Sequence, residues 1–296
     1  MRTPELSVVV TLQEPPVAGG LDAVWEGAAE RGIEVILVDG LGDGSAEELA
    51  KRYPGAVGLA PPAPLSLPLL QRAGIERARG RLVALTEAHC ALGPGWAEAA
   101  IEVHRWTSAP VIGGAVEPGE GLGPLDWALY FCDYGQFLQP LAEGPVPELP
   151  GSNIVFKGEV LRSGRAFTAG GFWKTFFCRS CKVRGEPLWA APRLVAFYHR
   201  RLRLGPALRR RYLHGRCYGA MAVRPERAAR RISHALAGPL LPGLLTTRLV
   251  RRVWRKGRFR ARLLATLPLC ALLLAAWSAG EWIGNLRGDG GACQRL

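Results

Sequence analysis

Short apolar runs alternate with helical patterns along the first 120 residues of this 296-residue chain. The runs are nearly uniform in apolar and β-branched residues, as in strands buried on both faces of a sheet. They occupy residues 6–11, 33–38, 56–59, 82–86 and 111–116. Between them apolar residues recur at helical spacing, and Ser45 with Glu48 has the pattern of a capping box. Strands alternating with helices predict an α/β fold with a mostly parallel sheet and helices on both faces.

Polar residues stand at the carboxyl ends of these predicted strands. Thr11 ends the first run, Asp39 and Asp43 follow the second, and Glu87 and His89 follow the fourth. Ligands of parallel sheets bind beyond the carboxyl ends of the strands, so we expect these side chains to share one site. A carboxylate and an imidazole after a buried strand predict a divalent-cation site. The chain has no Gly-rich P-loop or dinucleotide fingerprint, which argues against those nucleotide-binding folds.

Basic residues are concentrated in the carboxyl-terminal third of the chain. Residues 193–262 hold 20 Lys and Arg against one acid, whereas the remainder holds 18 against 24 acids, and the formal net charge is +13. Such a segment predicts an anionic partner, either nucleic acid or anionic membrane lipid. The uncharged run 263–280 follows it and has the minimum length of a membrane span. We therefore favour lipid and expect no nucleic acid, although a basic nucleic-acid binder stays an alternative on charge alone.

These patterns predict a membrane protein with four parts. The parts are an α/β domain at 1–200, a basic and partly interfacial helical arm at 201–262, a transmembrane or membrane-embedded helix at 263–284, and a tail at 285–296. Dense Arg before the uncharged run predicts that the preceding domain lies on the cytoplasmic side. Seven Cys without regular spacing favour a reducing compartment, and Cys178 and Cys181 are expected to be free thiols on a helix.

Several segments, taken in order, carry a resemblance to a known family. They are Val8-Val9-Val10-Thr11-Leu12-Gln13-Glu14, residues 34–44, residues 80–90, residues 112–116, residues 149–153 and, near the carboxyl terminus, residues 280–288. Together they resemble the family 2 glycosyltransferases, which have the GT-A nucleotide-sugar fold. The resemblance implies a membrane-attached enzyme that moves a sugar from a nucleotide-diphosphate sugar to a glycan or lipid-linked acceptor with inversion.

The resemblance also implies roles for individual residues. It assigns the nucleotide-sugar donor to Thr11, Glu14, Asp39, Asp43, Asn153, Arg211 and Arg216. Glu87 and His89 correspond to the family's Asp-x-Asp metal motif, with Ala88 between them. The implied cofactor is Mn²⁺ or Mg²⁺, which neutralises the diphosphate and stabilises the leaving group. An imidazole ligand shifts the preference from Mg²⁺ towards Mn²⁺.

Two departures from the family pattern affect catalysis. The metal motif has one carboxylate where members commonly have two, and Lys174 stands where members place an acidic base. An inverting transfer needs a base, and an ammonium cannot serve unless its pKa is strongly lowered. Asp133 and Glu148 are the alternative candidates for the base, and Lys174 is an alternative contact for the diphosphate. A second function therefore stays open: a catalytically weak or inactive GT-A-like binding or scaffold protein at the membrane.

Overall fold

The computed structural model describes residues 3–17, 19–25, 28, 31–53, 55–62, 65–163, 167–168, 170–222 and 238–296. They divide into two compact units, Met1–Gly119 with Gln139–His199, and Glu120–Leu138 with Arg200–Leu296. The segment 120–138, which lies inside the predicted α/β domain, groups with the second unit. Part of the predicted basic arm, residues 223–237, lies outside the described residues.

The elements are numbered along the chain. The strands are β1 Leu6–Leu12, β2 Ile33–Asp39, β3 Val57–Leu59, β4 Leu82–Glu87, β5 Cys90–Leu92, β6 Val111–Pro118, β7 Gly144–Val146, β8 Ile154–Lys157, β9 Phe167–Thr168, β10 Gly171–Phe172 and β11 Leu188–Tyr198. The helices are α1 Asp22–Trp25, α2 Ser45–Arg52, α3 Leu67–Arg77, α4 Trp96–Trp106, α5 Pro124–Tyr134, α6 Gly158–Arg162, α7 Lys174–Val183, α8 Leu204–Ala222, α9 Leu241–Arg255 and α10 Arg260–Arg287. All five predicted strands are present.

The first unit is built on a mixed sheet in the order β3-β2-β1-β4-β8-β6-β11-β5, with β7 also paired to β11. Strands β1 to β4 pair in parallel, and β6 pairs in parallel with β11. The short strand β8 is antiparallel to both β4 and β6, so these two groups point the same way. Strands β5 and β7 are antiparallel to β11. The described sheet is therefore mostly parallel, with six strands in one direction and three in the other.

Side-chain alternation along the central strands gives the sheet two buried faces. On β1, Val8 and Val10 belong to one apolar cluster with residues of α1 and α4, whereas Val9 belongs to a second cluster with residues of α3 and α7. Both faces of the strand are fully buried. This burial explains why the strands are uniformly apolar in sequence, and it confirms the prediction of helices on both faces.

Two local predictions were wrong. The helix α2 begins at Ser45 as its first residue, Gly44 is the N-cap, and no side chain caps the helix, so the predicted capping box is absent. Residues 90–92, which lie outside all the predicted strands, form β5 and pair with the end of β11. The stretch after β4 is therefore a tight connection between two strands of one sheet.

In the part of the chain that the structure describes, the second unit contains the α-helices α5, α8, α9 and α10. Cβ atoms added at Gly215 and Gly219 of α8 would overlap the backbone of α10 at Trp277 and Glu281. The two helices therefore approach each other backbone to backbone, as small residues at this spacing allow. Cys217 and Cys293 form a disulfide in this unit, which differs from the reducing compartment that the cysteine spacing favoured. The prediction for Cys178 and Cys181 is confirmed, since both are buried free thiols of α7.

Candidate functional site

The carboxyl ends of three neighbouring strands bring the predicted polar residues to one edge of the first unit. Thr11 of β1 is in register with Glu87 of β4, and Leu12 is in register with Asp39 of β2. The parallel register follows from the uniform burial of these strands, and it carries the residues after them to the same edge. We call this the carboxyl edge of the sheet.

A cluster of two carboxylates and one imidazole lies at the carboxyl edge. The Nδ1 atom of His89 is 3.1 Å from a carboxylate oxygen of Glu14 and 3.8 Å from one of Glu87. The His89 side chain is 4% exposed, whereas 24% of the Glu14 side chain and 13% of the Glu87 side chain remain exposed. We call Glu14, Glu87 and His89 the edge cluster. The sequence predicted all three as site residues, but it did not predict that Glu14 pairs with His89.

The backbone around His89 fixes the position of its imidazole. The His199 amide donates a hydrogen bond to the His89 carbonyl at 2.7 Å, which ties the β4–β5 connection to the end of β11. The ring of Tyr198 stands edge-on to the imidazole, with centroids 5.5 Å apart. Burial alone would lower the pKa of His89, but its interactions with Cys90, Glu87 and Glu14 outweigh burial and raise the pKa to about 10. The carboxylates of Glu14 and Glu87 therefore favour the protonated form of the imidazole, and a metal ion bound by His89 would have to displace that proton.

Two residues that the sequence did not single out, Cys90 and Ser152, form a hydrogen bond next to this cluster. The buried thiol of Cys90 donates to the hydroxyl of Ser152 at 3.3 Å. Both residues belong to segments that carried the family resemblance. Their position in those segments could have identified them from the sequence as neighbours of the site. The next residue, Asn153, is fully buried and was predicted to contact the nucleotide-sugar.

The Asn153 side chain is fully engaged inside the first unit. Its Oδ1 atom accepts a hydrogen bond from Trp96 at 2.8 Å, and its Nδ2 atom donates to the carbonyls of Ala115 at 2.8 Å and Leu194 at 3.0 Å. Both amide protons are therefore used, and the side chain joins α4, β6 and β11. The structure therefore shows a structural role for Asn153, and its contact with the nucleotide-sugar stays a prediction.

Asp39 organises the glycine-rich turn that follows β2. One carboxylate oxygen accepts the amides of Leu41 and Gly42, both at 2.8 Å, and the other accepts the amide of Gly44 at 2.9 Å. Gly42 and Gly44 have φ values of 72° and 80°, which glycine adopts without steric cost. The carboxylate is therefore largely occupied by its own turn, and that turn lies at the carboxyl edge.

Thr11 and Asp43 are placed differently from each other. Thr11 is buried, and its hydroxyl donates to the Thr86 carbonyl at 3.4 Å, between the ends of β1 and β4. Asp43 lies on the exposed surface of the glycine-rich turn and accepts the Ser45 amide at 3.0 Å. Hydrogen bonds from Ser45 hold the pKa of Asp43 below its usual value. Of these two residues, Asp43 presents the more accessible polar group.

The two residues that were predicted on the acceptor side, Lys174 and Glu148, belong to α7 and to the segment that packs along it. The Lys174 ammonium donates to the Leu149 carbonyl at 2.6 Å, and the Lys182 ammonium of the same helix donates to the Pro147 carbonyl at 2.9 Å. These two lysines hold the segment that contains the exposed Glu148. Lys174 is therefore placed as a hydrogen-bond donor to the backbone, and Glu148 is the carboxylate of this region.

Asp133, Arg211 and Arg216 belong to the second unit. Asp133 accepts a hydrogen bond from the buried Arg211 guanidinium at 2.7 Å, and that guanidinium lies 5.7 Å from the centroid of the Trp277 ring. Arg216 donates to the Gly288 carbonyl at 3.3 Å. These three side chains are therefore engaged within the helices of the second unit.

The side chains of the edge cluster suit a divalent cation that takes its remaining ligands from a bound phosphate group. Within the described residues, no group of three or more His, Cys, Asp or Glu is arranged to hold a metal ion by itself. The cluster nevertheless presents carboxylate oxygen and imidazole, which suit Mn²⁺, and cations of this class take part of their coordination from substrate phosphates. A histidine whose one ring nitrogen faces a carboxylate is also the usual arrangement of a metal-ligating histidine. The residues present therefore fit a divalent cation that is bound together with a diphosphate.

Comparisons with known proteins address the fold. No known family model matches the chain, and no curated protein matches it either. Among solved structures, the chain is similar to the crystal structure of GalNAc-T7 with UDP, GalNAc and Mn²⁺, at a TM-score of 0.51 and 13% sequence identity. The match covers 68% of this chain and 44% of that one, so this chain corresponds to less than half of GalNAc-T7.

At this level of identity the likeness concerns the fold. GalNAc-T7 is a glycosyltransferase of the GT-A fold, and the mostly parallel mixed sheet with helices on both faces agrees with it. The predicted fold class is therefore confirmed. Within the described residues, one helix, Arg260–Arg287, is long and apolar enough to cross a membrane, which is weak support for membrane attachment.

Proposed function

We propose that the chain is a glycosyltransferase of the family 2 type that uses a nucleotide-diphosphate sugar as its donor. The observation that carries the proposal is the edge cluster: Glu14, Glu87 and His89 meet at the carboxyl edge of a sheet with the GT-A architecture. Ligands of such sheets bind at this edge. UDP is the first nucleotide to test, because the structurally similar GalNAc-T7 was crystallised with UDP and Mn²⁺.

The proposed metal site consists of Glu87 and His89. When bound, a divalent cation would neutralise the diphosphate and stabilise it as a leaving group. Glu87 offers an accessible carboxylate, and Glu14 holds His89 through Nδ1, which orients the imidazole. In this proposal Asp43 and the turn organised by Asp39 form the nucleoside side of the site, supported by the exposed carboxylate of Asp43 and by the position of the turn after β2. The proposal leaves out Asn153, Asp133, Arg211 and Arg216, whose polar groups are engaged elsewhere.

Glu148 is the proposed base among the acceptor-side residues. It is an exposed carboxylate, whereas the Lys174 ammonium donates a hydrogen bond to the Leu149 carbonyl and is a positioning residue for the same segment. The acceptor in this proposal is a glycan or lipid-linked hydroxyl group. Attachment to the membrane through α10 is the second part of the proposal, supported by the length and apolar character of that helix.

Calorimetry on the full chain tests donor binding. We expect Mn²⁺ alone and UDP alone to bind weakly, and the two together to bind well, because the protein supplies too few ligands to hold the cation by itself. Glu87→Gln should weaken the binding of UDP with Mn²⁺ at least about tenfold. Glu48→Gln, an exposed substitution on α2, is the matched control and should leave the affinity unchanged. If neither UDP nor GDP binds, with or without Mn²⁺, the proposal is contradicted.

A binding or scaffold protein without transfer is the second candidate function. The position of Lys174 favours it, since a side chain that donates to the Leu149 carbonyl does not act as a base. Hydrolysis of UDP-sugars in the absence of acceptor separates the two functions. Turnover that Glu87→Gln abolishes would eliminate the scaffold, whereas tight donor binding without any turnover would eliminate the enzyme.

A further inference from the structure

The helix α10 has one buried face and one exposed apolar face along its whole length. Its buried residues include Leu263, Thr266, Cys270, Leu273 and Gly284, which pack inside the second unit. Its exposed apolar residues form a second set, which we call the apolar stripe: Leu264, Ala265, Pro268, Leu272, Ala279, Trp282 and Leu286. At about 100° per residue, the stripe falls within roughly 100° of the helix circumference. The helix is therefore packed on one side and open on the other.

The stripe is long and contains no charged residue, and the partly buried Ala275 and Ala276 lie between its exposed residues Leu272 and Ala279. Leu264 is 54% exposed, Leu272 43% and Leu286 40%, and the helix from 263 to 280 contains no charged residue. At about 1.5 Å per residue, residues 264–286 extend for roughly 33 Å. Soluble proteins rarely expose an apolar face of this kind, so the stripe marks an interaction surface.

The exposed surface of α9 and of the first turn of α10 is basic and aromatic, which indicates the chemistry of the partner. The Arg260 guanidinium lies 4.9 Å from the centroid of the Trp254 ring, and Trp254 is 41% exposed. The exposed side of α9 adds further positive charge, from Arg248, Arg251, Arg252 and Arg255. Arginine and tryptophan beside an apolar helix face are typical of the interface of an anionic membrane. Charge complementarity therefore favours an anionic bilayer over a protein partner.

The packing of α8 against α10 limits the orientations that α10 can adopt in a membrane. Cβ atoms at Gly215 and Gly219 of α8 would meet Trp277 and Glu281 of α10, so a step of four residues on one helix matches a step of four on the other. The two helices therefore run in the same direction. Arg211 of α8 lies over the Trp277 ring, within about one turn of the middle of α10.

This register is incompatible with α10 as a lone membrane span. Arg209, Arg210 and Arg211 are consecutive in α8 and stand beside the central part of α10, and Arg209 is exposed. A span through the same helix would carry these guanidinium groups into the hydrocarbon, where arginine is strongly disfavoured. We propose that α10 lies in the plane of an anionic membrane, with the apolar stripe in the acyl layer and α8 on the aqueous side. The inference rests on the membrane attachment proposed above and not on sugar transfer.

Depth measurements on the full chain test this orientation. A spin-labelled amino acid is introduced at Ala265, Leu272 or Ala279, and its depth is measured in vesicles of equal parts phosphatidylcholine and phosphatidylglycerol. An in-plane helix places all three labels at the same shallow depth. A crossing helix places the label at 272 deepest and the other two nearer the surface, and that profile would overturn the inference. Labels that stay in water at all three positions would overturn it too, because the stripe would then have another partner.

Vesicle binding by stripe variants gives a second, independent measurement. The double variant Leu264→Gln and Leu272→Gln should bind the same vesicles at least about tenfold more weakly. Val183→Gln replaces an apolar residue of α7 that is 84% exposed, and it is the matched control that should not change binding. Equal binding by the double variant and the control would contradict the inference. UDP binding in the same samples keeps the two proposals separate, since each can fail while the other holds.

Discussion

Asn153 joins three segments of the first unit through a single buried amide. It accepts a hydrogen bond from Trp96 and donates to the carbonyls of Ala115 and Leu194. We expect Asn153→Ala to lower the free energy of unfolding by roughly 3 kcal/mol, because it leaves buried polar groups without partners. Urea unfolding followed by tryptophan fluorescence measures the change, and Asp43→Ala, on the surface turn, should leave the midpoint in place. Unchanged stability together with weaker UDP binding would instead restore the predicted nucleotide-sugar contact.

His104 gives the first unit a pH-dependent stability. Burial, reinforced by the charge of Lys157, lowers the pKa of His104 to about 4. The side chain lines a cavity of about 450 Å³ that contains further charged groups, Glu5, Arg81, Arg105, Glu159 and Arg162. Because the unfolded chain takes up the proton near pH 6.5, this contribution to stability is complete above that pH. It is lost as the pH falls from about 6.5 to about 4, by roughly 3 kcal/mol.

The His104→Gln variant tests this linkage. Its free energy of unfolding should fall less between about pH 7 and about pH 4 than that of the natural chain, since the titrating group is gone. Glu98→Gln, on the same helix, is the control for a local change in charge. Parallel pH profiles for His104→Gln and the natural chain would show that another group carries the acid sensitivity.

The residues of the carboxyl edge could be located from the sequence, but their hydrogen-bond partners could not. Thr11, Asp39 and Glu87 were predicted there because a parallel sheet brings strand ends together, and no knowledge of contacts was needed. The pairing of Glu14 with His89 depends on the path of the loop after β1, which has no periodic pattern. Likewise, the residue type of Asn153 does not reveal that all its amide protons are used.

At the scale of elements, long and periodic segments were predictable and short ones were not. The strands β1, β2, β4 and β6 are uniformly apolar and buried, and their predicted ends lie within two residues of those observed. The three-residue strand β5 exists because it pairs with β11, about a hundred residues further along the chain. Such a strand carries no sequence period of its own, so a local pattern could not reveal it.

The close contact between α8 and α10 gives a matched pair of glycine substitutions. A Cβ atom at Gly215 would overlap the Trp277 carbonyl, whereas one at Gly205, on the same helix, would meet nothing within 4 Å. Gly215→Ala should therefore destabilise the second unit by about 2 kcal/mol, while Gly205→Ala should be neutral or slightly stabilising. Thermal unfolding followed by circular dichroism distinguishes them. Equal melting temperatures for the two variants would contradict the backbone contact.

At the scale of the whole molecule, the proposed orientation of α10 affects the prediction of the cellular compartment in which the protein is found. The predicted cytoplasmic location rests on the arginines that precede the uncharged run, and it assumes that this run crosses the membrane. If α10 lies in the membrane plane, the positive-inside argument no longer applies, and the arginines report only on the anionic surface. The disulfide between Cys217 and Cys293 then becomes the informative feature, since disulfides persist in oxidising compartments and are rare in the cytosol.

The disulfide makes this question measurable. The bond closes a loop with a sequence separation of 76, so its loss should cost the second unit about 4 kcal/mol. A reductant should therefore lower the melting temperature of the natural chain and leave that of the double variant Cys217→Ser and Cys293→Ser unchanged. In cells that make the protein, a thiol-alkylating reagent added before lysis should leave Cys217 and Cys293 unmodified, because their sulfur atoms are joined in the disulfide. Alkylation of Cys217 and Cys293 in those cells would contradict an oxidising location and restore the cytoplasmic prediction.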